Sequence, residues 1–92
     1  MNRFEILEKA IETYGVNHQI DMAIEELAEI IHALCKYKRS PDEKHVTDVK
    51  EEIADGQITL DQLKIIFSAD DDVAEFDRQK IARLAGRVHM RS

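Results

Sequence analysis

Apolar residues recur at spacings of three and four along most of the chain, the period of an α-helix with one buried side. Phe4, Leu7 and Ile11 share a face and predict a first helix from about Asn2 to Tyr14, stopped by Gly15. A second helix is predicted from Asn17, a candidate N-cap, to Lys38, where positive charge complements the C-terminal dipole. The break at Ser40-Pro41-Asp42-Glu43 reads either as a turn or as a capping box with Pro at N1. A third helix runs from about His45 to Phe67. Asp70 to Asp72 form the cap and first turn of a fourth, which ends near Gly86 or beyond. Nothing long enough to be a linker interrupts this pattern. The prediction is one all-α domain over residues 1–92, a four-helix bundle whose two long central helices run antiparallel.

Turning each helix by about 100° per residue shows which side chains share a face. On helix 3 the main apolar stripe is Val46, Val49, Ile53, Leu60, Leu63 and Phe67, and Ala54, Ile58 and Ile65 form a second one. Lys50, Gln57, Asp61 and Lys64 lie to one side as a solvated face. Between the two apolar stripes lie Asp48, Glu52, Asp55, Thr59 and Gln62. Carboxylates bracketed by apolar surface are not a simple wet face. Helix 2 has a wide apolar arc (Ile20, Ala23, Ile24, Leu27, Ile30, Ile31, Leu34, Cys35) and, along one edge, Gln19, Met22, Glu26, Glu29 and Ala33. Helix 4 sets Phe76, Lys80, Arg83 and Arg87 beside a core stripe of Val73, Ile81, Leu84 and Val88. The second stripe of helix 3 and the wide arc of helix 2 exceed what one small chain can cover. A homodimer or a dimer of dimers is therefore expected.

Composition narrows the function. One Pro, three Gly and only five aromatic residues favour helices over sheet. A net charge of −6 argues against nucleic acid as a partner, because phosphate backbones need a basic surface. No apolar run approaches membrane-spanning length and the N-terminus has no signal-like core, so a cytoplasmic protein with no membrane partner is expected. A single cysteine, Cys35, forms no internal disulfide and suits a reducing compartment.

The candidate chemistry lies in Glu25-Glu26-x-x-Glu29 and Glu51-Glu52-x-x-Asp55. A single acidic pair at this spacing says little, since 19 acids in 92 residues supply about four such pairs by chance, mostly on solvated faces. Two pairs on adjacent antiparallel helices say more. Four carboxylates in a partly dry groove repel, so some stay protonated or a cation holds them. All-oxygen ligands suit Mg²⁺, or Mn²⁺, rather than zinc.

These residues resemble the paired signature of the MazG-like, all-α nucleoside triphosphate pyrophosphohydrolases. Gln19 and the late Lys80-Ile81-Ala82-Arg83-Leu84 are similar to that family's pattern too, so the resemblance spans roughly Gln19 to Arg87. It implies that Glu26, Glu29, Glu52 and Asp55 are the catalytic carboxylates and bind Mg²⁺. It also implies that water cleaves a nucleoside triphosphate between its α and β phosphates. Lys80 and Arg83, with Arg87 or Lys64, would neutralise the triphosphate tail. Gln19, beside His18, would touch base or sugar, unless it is only a helix-start polar residue. Asp48, Thr59 and Gln62 would support the ligands from behind. Gly56 departs from the pattern, standing where a bulky apolar residue usually follows the Asp. A mid-helix Gly costs about 1 kcal/mol against Ala and predicts a looser helix 3 beside the site.

Two other readings stay open at this point: a helical interaction module whose acidic groove binds a basic partner, and a pyrophosphohydrolase of phosphoribosyl-ATP type. The remaining residues suggest no chemistry. Cys35 is expected in the core, His32 and Cys35 lack companions for a zinc set, and His45 and His89 sit near helix ends.

Overall fold

The computed structural model describes residues 1–91, and all of its regular structure is helical: α1 Arg3–Tyr14, α2 Val16–Arg39, α3 Glu43–Ile66 and α4 Asp70–Arg91. The first helix begins as its sequence dictates. Asn2 accepts from the Glu5 N–H at 2.8 Å, and the Glu5 side chain accepts from the Asn2 N–H, a reciprocal cap. The start of α2 differs from expectation. Gly15, at φ 93°, both ends α1 and begins α2, so Asn17 lies inside the helix rather than capping it. A one-residue connection between helices demands that positive φ, which only glycine adopts without strain.

The turn after α2 resolves in favour of a different cap from the one Pro41 suggested. Asp42 is the N-cap of α3 and accepts from the His45 N–H at 2.9 Å, so Pro41 lies outside the helix and α3 begins at Glu43, two residues early. That hydrogen bond holds the Asp42 carboxyl below its ordinary value. His45 completes the turn with Nδ1 2.8 Å from the Ser40 carbonyl. At the far end Ser68 takes a left-handed conformation, φ 49°, and the chain enters α4, which continues through Gly86 to Arg91.

The long helices α2 and α3, 24 residues each, form an antiparallel hairpin that is the centre of the molecule. Small residues decide how closely they approach. Ala23 and Ala33 on α2 and Gly56 on α3 are the buried positions of the hairpin. Helix α1 packs across both, with Leu7 buried. Arg3 of α1 donates from Nε and Nη2 to one Asp61 oxygen, at 3.1 and 2.9 Å, and keeps that carboxyl below its ordinary value. Asp61 is therefore an anchor for α1, half-buried beside Lys64, and not part of a fully solvated face. Helix α4 touches α3 alone. Within one chain the bundle comprises α1 to α3, and α4 leads away from it. No described helix is long and apolar enough to cross a membrane.

One expectation about the core holds only in part. Of the main apolar stripe of α3, Val46, Val49 and Leu63 are half-buried whereas Ile53, Leu60 and Phe67 are exposed; of the polar stripe, Asp48, Glu52, Thr59 and Gln62 are half-buried and Asp55 is exposed. Gly56 is buried at the contact, with Glu52 and Thr59 half-buried a turn to either side. Cys35, expected in the core, is exposed as well. Small residues and Ile30 fill the hairpin contact, and larger apolar side chains such as Ile24 and Ile53 lie outside it.

Candidate metal centre

Helix periodicity puts Glu26 on the α3-facing side of α2, one turn from Ala23 and Ile30, and sets Glu52 and Asp55 together on α3. The hairpin brings these three together, one oxygen from each lying within 4.8 Å of the others. Glu26 Oε1 and Glu52 Oε2 are both buried with no hydrogen-bond partner. Two acceptors facing each other without a donor hold a proton or a cation between them. The Glu26 carboxyl is accordingly pushed up to about 7, first by the hydrogen bond it shares with Glu52, then by removal from water and by the charges of Glu52, Asp55 and Glu29.

Glu29 stands apart from this set of three. It is exposed one turn along α2, close enough for its charge to act on Glu26 but not one of the converging oxygens. It lines a polar cavity of about 350 Å³ with His32, Ala33, Lys36, Asp48, Glu51 and Glu52. There Asp48 pairs with Lys44 at 3.1 Å and is not one of the three converging carboxylates.

A second cavity, about 340 Å³, opens on the other side of Glu26, between Tyr14, His18, Gln19, Met22, Ala23, Thr59 and Gln62. Gln19 donates to the Gln62 carbonyl at 2.7 Å across the hairpin, and His18 Nδ1 lies 2.9 Å from the Gln19 carbonyl oxygen. The His18 ring stacks on Tyr14 with centroids 5.6 Å apart. The sequence-predicted Gln19, Thr59 and Gln62 thus share one wall system with Glu26. Tyr14 and Met22 were not anticipated there. Met22 lies on the same edge of α2 as Gln19 and Glu26, which was the available signal, whereas Tyr14 arrives only through the tight Gly15 turn.

Lys80 and Arg83 are not brought to the carboxylates within one chain. They lie on α4, which does not touch α2, and they line neither cavity. Lys64 is engaged by Asp61 at 3.5 Å, and Arg87 lines a separate hollow near the end of α4.

Gly56 has a structural explanation. A Cβ built on it would stand 2.7 Å from Cδ1 of Ile30, so the missing side chain is the space in which α2 lies against α3. The residue that seemed to loosen the helix makes room for Ile30, one turn from Glu26.

The donor set fits a hard divalent cation: carboxylate oxygens only, two of them buried and unpartnered, with no sulfur or imidazole among them. Fold and site together define an all-helical chain with a carboxylate centre inside a two-helix hairpin. No protein-family model, curated protein or solved structure matches the chain.

Proposed function

We propose that this chain hydrolyses nucleoside triphosphates to monophosphate and pyrophosphate with the help of Mg²⁺ or Mn²⁺, working as a homodimer or a dimer of dimers. One observation carries the proposal: the two buried, unpartnered oxygens of Glu26 and Glu52 with Asp55 beside them. The resemblance of the two acidic motifs to those of MazG-like pyrophosphohydrolases supplies the choice of reaction.

Glu26, Glu52 and Asp55 would hold the cation, with Glu29 adding charge from the next turn. Such an ion supplies charge neutralisation at the phosphates and a more acidic bound water. The chain's own residues do the rest. Binding of a cation would displace the proton shared by Glu26 and Glu52, so the pair would hold the ion more tightly as pH rises. The cavity at Gln19 and Gln62 takes the base or sugar. The Gln62 amide N–H groups, which do not take part in its bond from Gln19, are donors for a carbonyl or hydroxyl there. Water's oxygen bonds to the α phosphorus as the bridging bond to the β phosphate breaks, and pyrophosphate leaves with the electron pair. Glu29, the acidic side chain outside the converging three, would accept the water's proton.

Product analysis tests this directly. Incubation with a panel of ribo- and deoxyribonucleoside triphosphates and Mg²⁺ should give monophosphate and pyrophosphate in equal amounts. Diphosphate and inorganic phosphate as the products would assign the cleavage to the wrong bond, and no turnover of any triphosphate would leave the acidic groove to a basic partner.

A further inference from the structure

Three side chains at the Gly15 end of the hairpin form a run of hydrogen bonds that has a direction. His18 Nδ1 lies 2.9 Å from Gln19 Oε1, and Gln19 Nε2 donates to Gln62 Oε1 at 2.7 Å. An amide oxygen only accepts, so Nδ1 carries a proton, as it does in the Nδ1–H tautomer and in the charged ring alike. Gln19, its oxygen engaged by His18, has only N–H groups to turn across to α3. Gln62 therefore meets it with oxygen. The amide N–H groups of Gln62 remain for the cavity of about 340 Å³ that all three residues line.

The walls of that cavity suit a planar heterocycle better than a sugar. The His18 ring stacks on Tyr14, centroids 5.6 Å apart and planes 30° from parallel, and Met22 and Ala23 add apolar surface beside them. Aromatic faces stack on every nucleobase, so they hold a base without choosing one. Choice falls to the polar groups at the edge. Gln19 and Gln62 are half-buried, where a donor set against a donor costs more than it would in open water. Glu26 belongs both to this cavity and to the carboxylate centre, so a base seated here lies beside the place proposed for the phosphates.

We infer that His18 fixes the direction of the run and that Gln62, presenting N–H donors, selects bases with a ring carbonyl where adenine and cytosine carry an amino group. Hypoxanthine, guanine, uracil and thymine form that class. A carbonyl accepts from Gln62, whereas an amino group meets donor with donor. His18 is a positioning residue, because it acts through Gln19 and Gln62. The role of Gln62 rests on the hydrolytic reading for what enters the cavity, and goes beyond it by naming the class of base.

Calorimetric titration of the full chain with nucleoside monophosphates in Mg²⁺ tests it. Inosine is set against adenosine monophosphate and uridine against cytidine monophosphate, pairs matched in ring size that differ at this edge. The carbonyl member of each pair should bind about tenfold more tightly, the worth of one net hydrogen bond. Gln19→Glu has no N–H to offer, so Gln62 must turn its own amide toward the new carboxylate and show its oxygen to the cavity. The preference should then invert. His18→Phe keeps a ring on Tyr14 but lets the run take either direction, and the preference should shrink toward unity. A merely structural role would weaken both members of a pair alike and leave their ratio unchanged.

Equal affinities within the wild-type pairs, tighter binding of the amino members, or no binding at all overturns the inference. A wild-type preference kept in His18→Phe or in Gln19→Glu overturns the part given to that residue. Binding is read without turnover, so the hydrolytic reading fails separately: a carbonyl preference with no pyrophosphate released from any triphosphate removes the reaction and keeps the pocket.

Discussion

Gly56 of α3 lies against Ile30 of α2 so closely that an added Cβ would stand 2.7 Å from the Ile30 Cδ1 methyl. The contact is one turn from Glu26 and from Glu52, so whatever changes the helix spacing there changes the carboxylate centre.

Substitution at Gly56 should therefore separate two effects. Gly56→Ala gains about 1 kcal/mol of helix propensity. The clash it creates is with the free end of a flexible side chain, so the melting temperature should stay near or above that of the wild type. Gly56→Leu, which restores a bulky apolar residue, must push α2 and α3 apart. Its expected outcome is a lower melting temperature together with loss of any rise on adding Mg²⁺. A Gly56→Leu protein that melts as the wild type does, with the same Mg²⁺ response, would show that helix spacing does not set the site.

Stability of the metal-free protein should depend on pH through Glu26. Its carboxyl sits at about 7 in the folded chain against an ordinary value of 4.5. Between those values the folded protein holds a proton that the unfolded chain has released, so folding takes up a proton and stability falls as pH rises. The contribution is fully present below 4.5 and gone above about 7. Urea unfolding in EDTA at pH 5 and pH 8 should show the drop, and Glu26→Gln should shrink it. A wild-type and a Glu26→Gln protein with the same pH dependence would remove the shared proton from the account.

Cations should compete for that same position. Mg²⁺ at a hundredfold excess over its Kd should stabilise the fold by about 2.7 kcal/mol, more at pH 8 than at pH 5.5 because no proton has to leave. Scanning calorimetry at both pH values, with millimolar Mg²⁺ or with EDTA, measures it. Superimposable melts at pH 8 would mean that no ion is held.

The Gln19–Gln62 pair should govern substrate without governing metal. Gln62→Leu keeps the shape of the side chain but removes the amide, leaving Gln19 without its acceptor across the hairpin. A raised KM with an unchanged Mg²⁺ shift in melting is expected. Loss of the Mg²⁺ shift would instead make the pair a support of the carboxylates.

Much of this arrangement was legible along the chain, and the main failures come from what periodicity leaves open. Four helices followed from periodicity, and the inward turn of Glu52 followed from its place between two apolar stripes. Periodicity could not say what each stripe meets. Ile53 and Leu60 repeat like core residues, yet they are exposed, because helical periodicity marks an apolar face whatever covers it. Gly56 read as a weakness until Ile30 was known to occupy the space beside it. The caps failed by a residue or two for local reasons: Gly15 serves two helices at once, and Asp42, not Ser40, reaches the first free N–H groups of α3. Lys80 and Arg83 lie on a helix that touches only α3.

The carboxylate centre is the central claim, and Glu52→Gln tests it most directly. The substitution keeps the side chain's shape, removes one charged ligand and relieves repulsion with Glu26, so the fold should survive and the metal-free protein should be at least as stable as the wild type. Pyrophosphate release from the best triphosphate, at fixed Mg²⁺, should fall to a small residue of the wild-type rate in Glu52→Gln and likewise in Asp55→Asn. Glu43→Gln, at the exposed first turn of α3, should leave the rate unchanged. Wild-type turnover by a folded Glu52→Gln protein would contradict the account and make the acidic groove a binding surface instead.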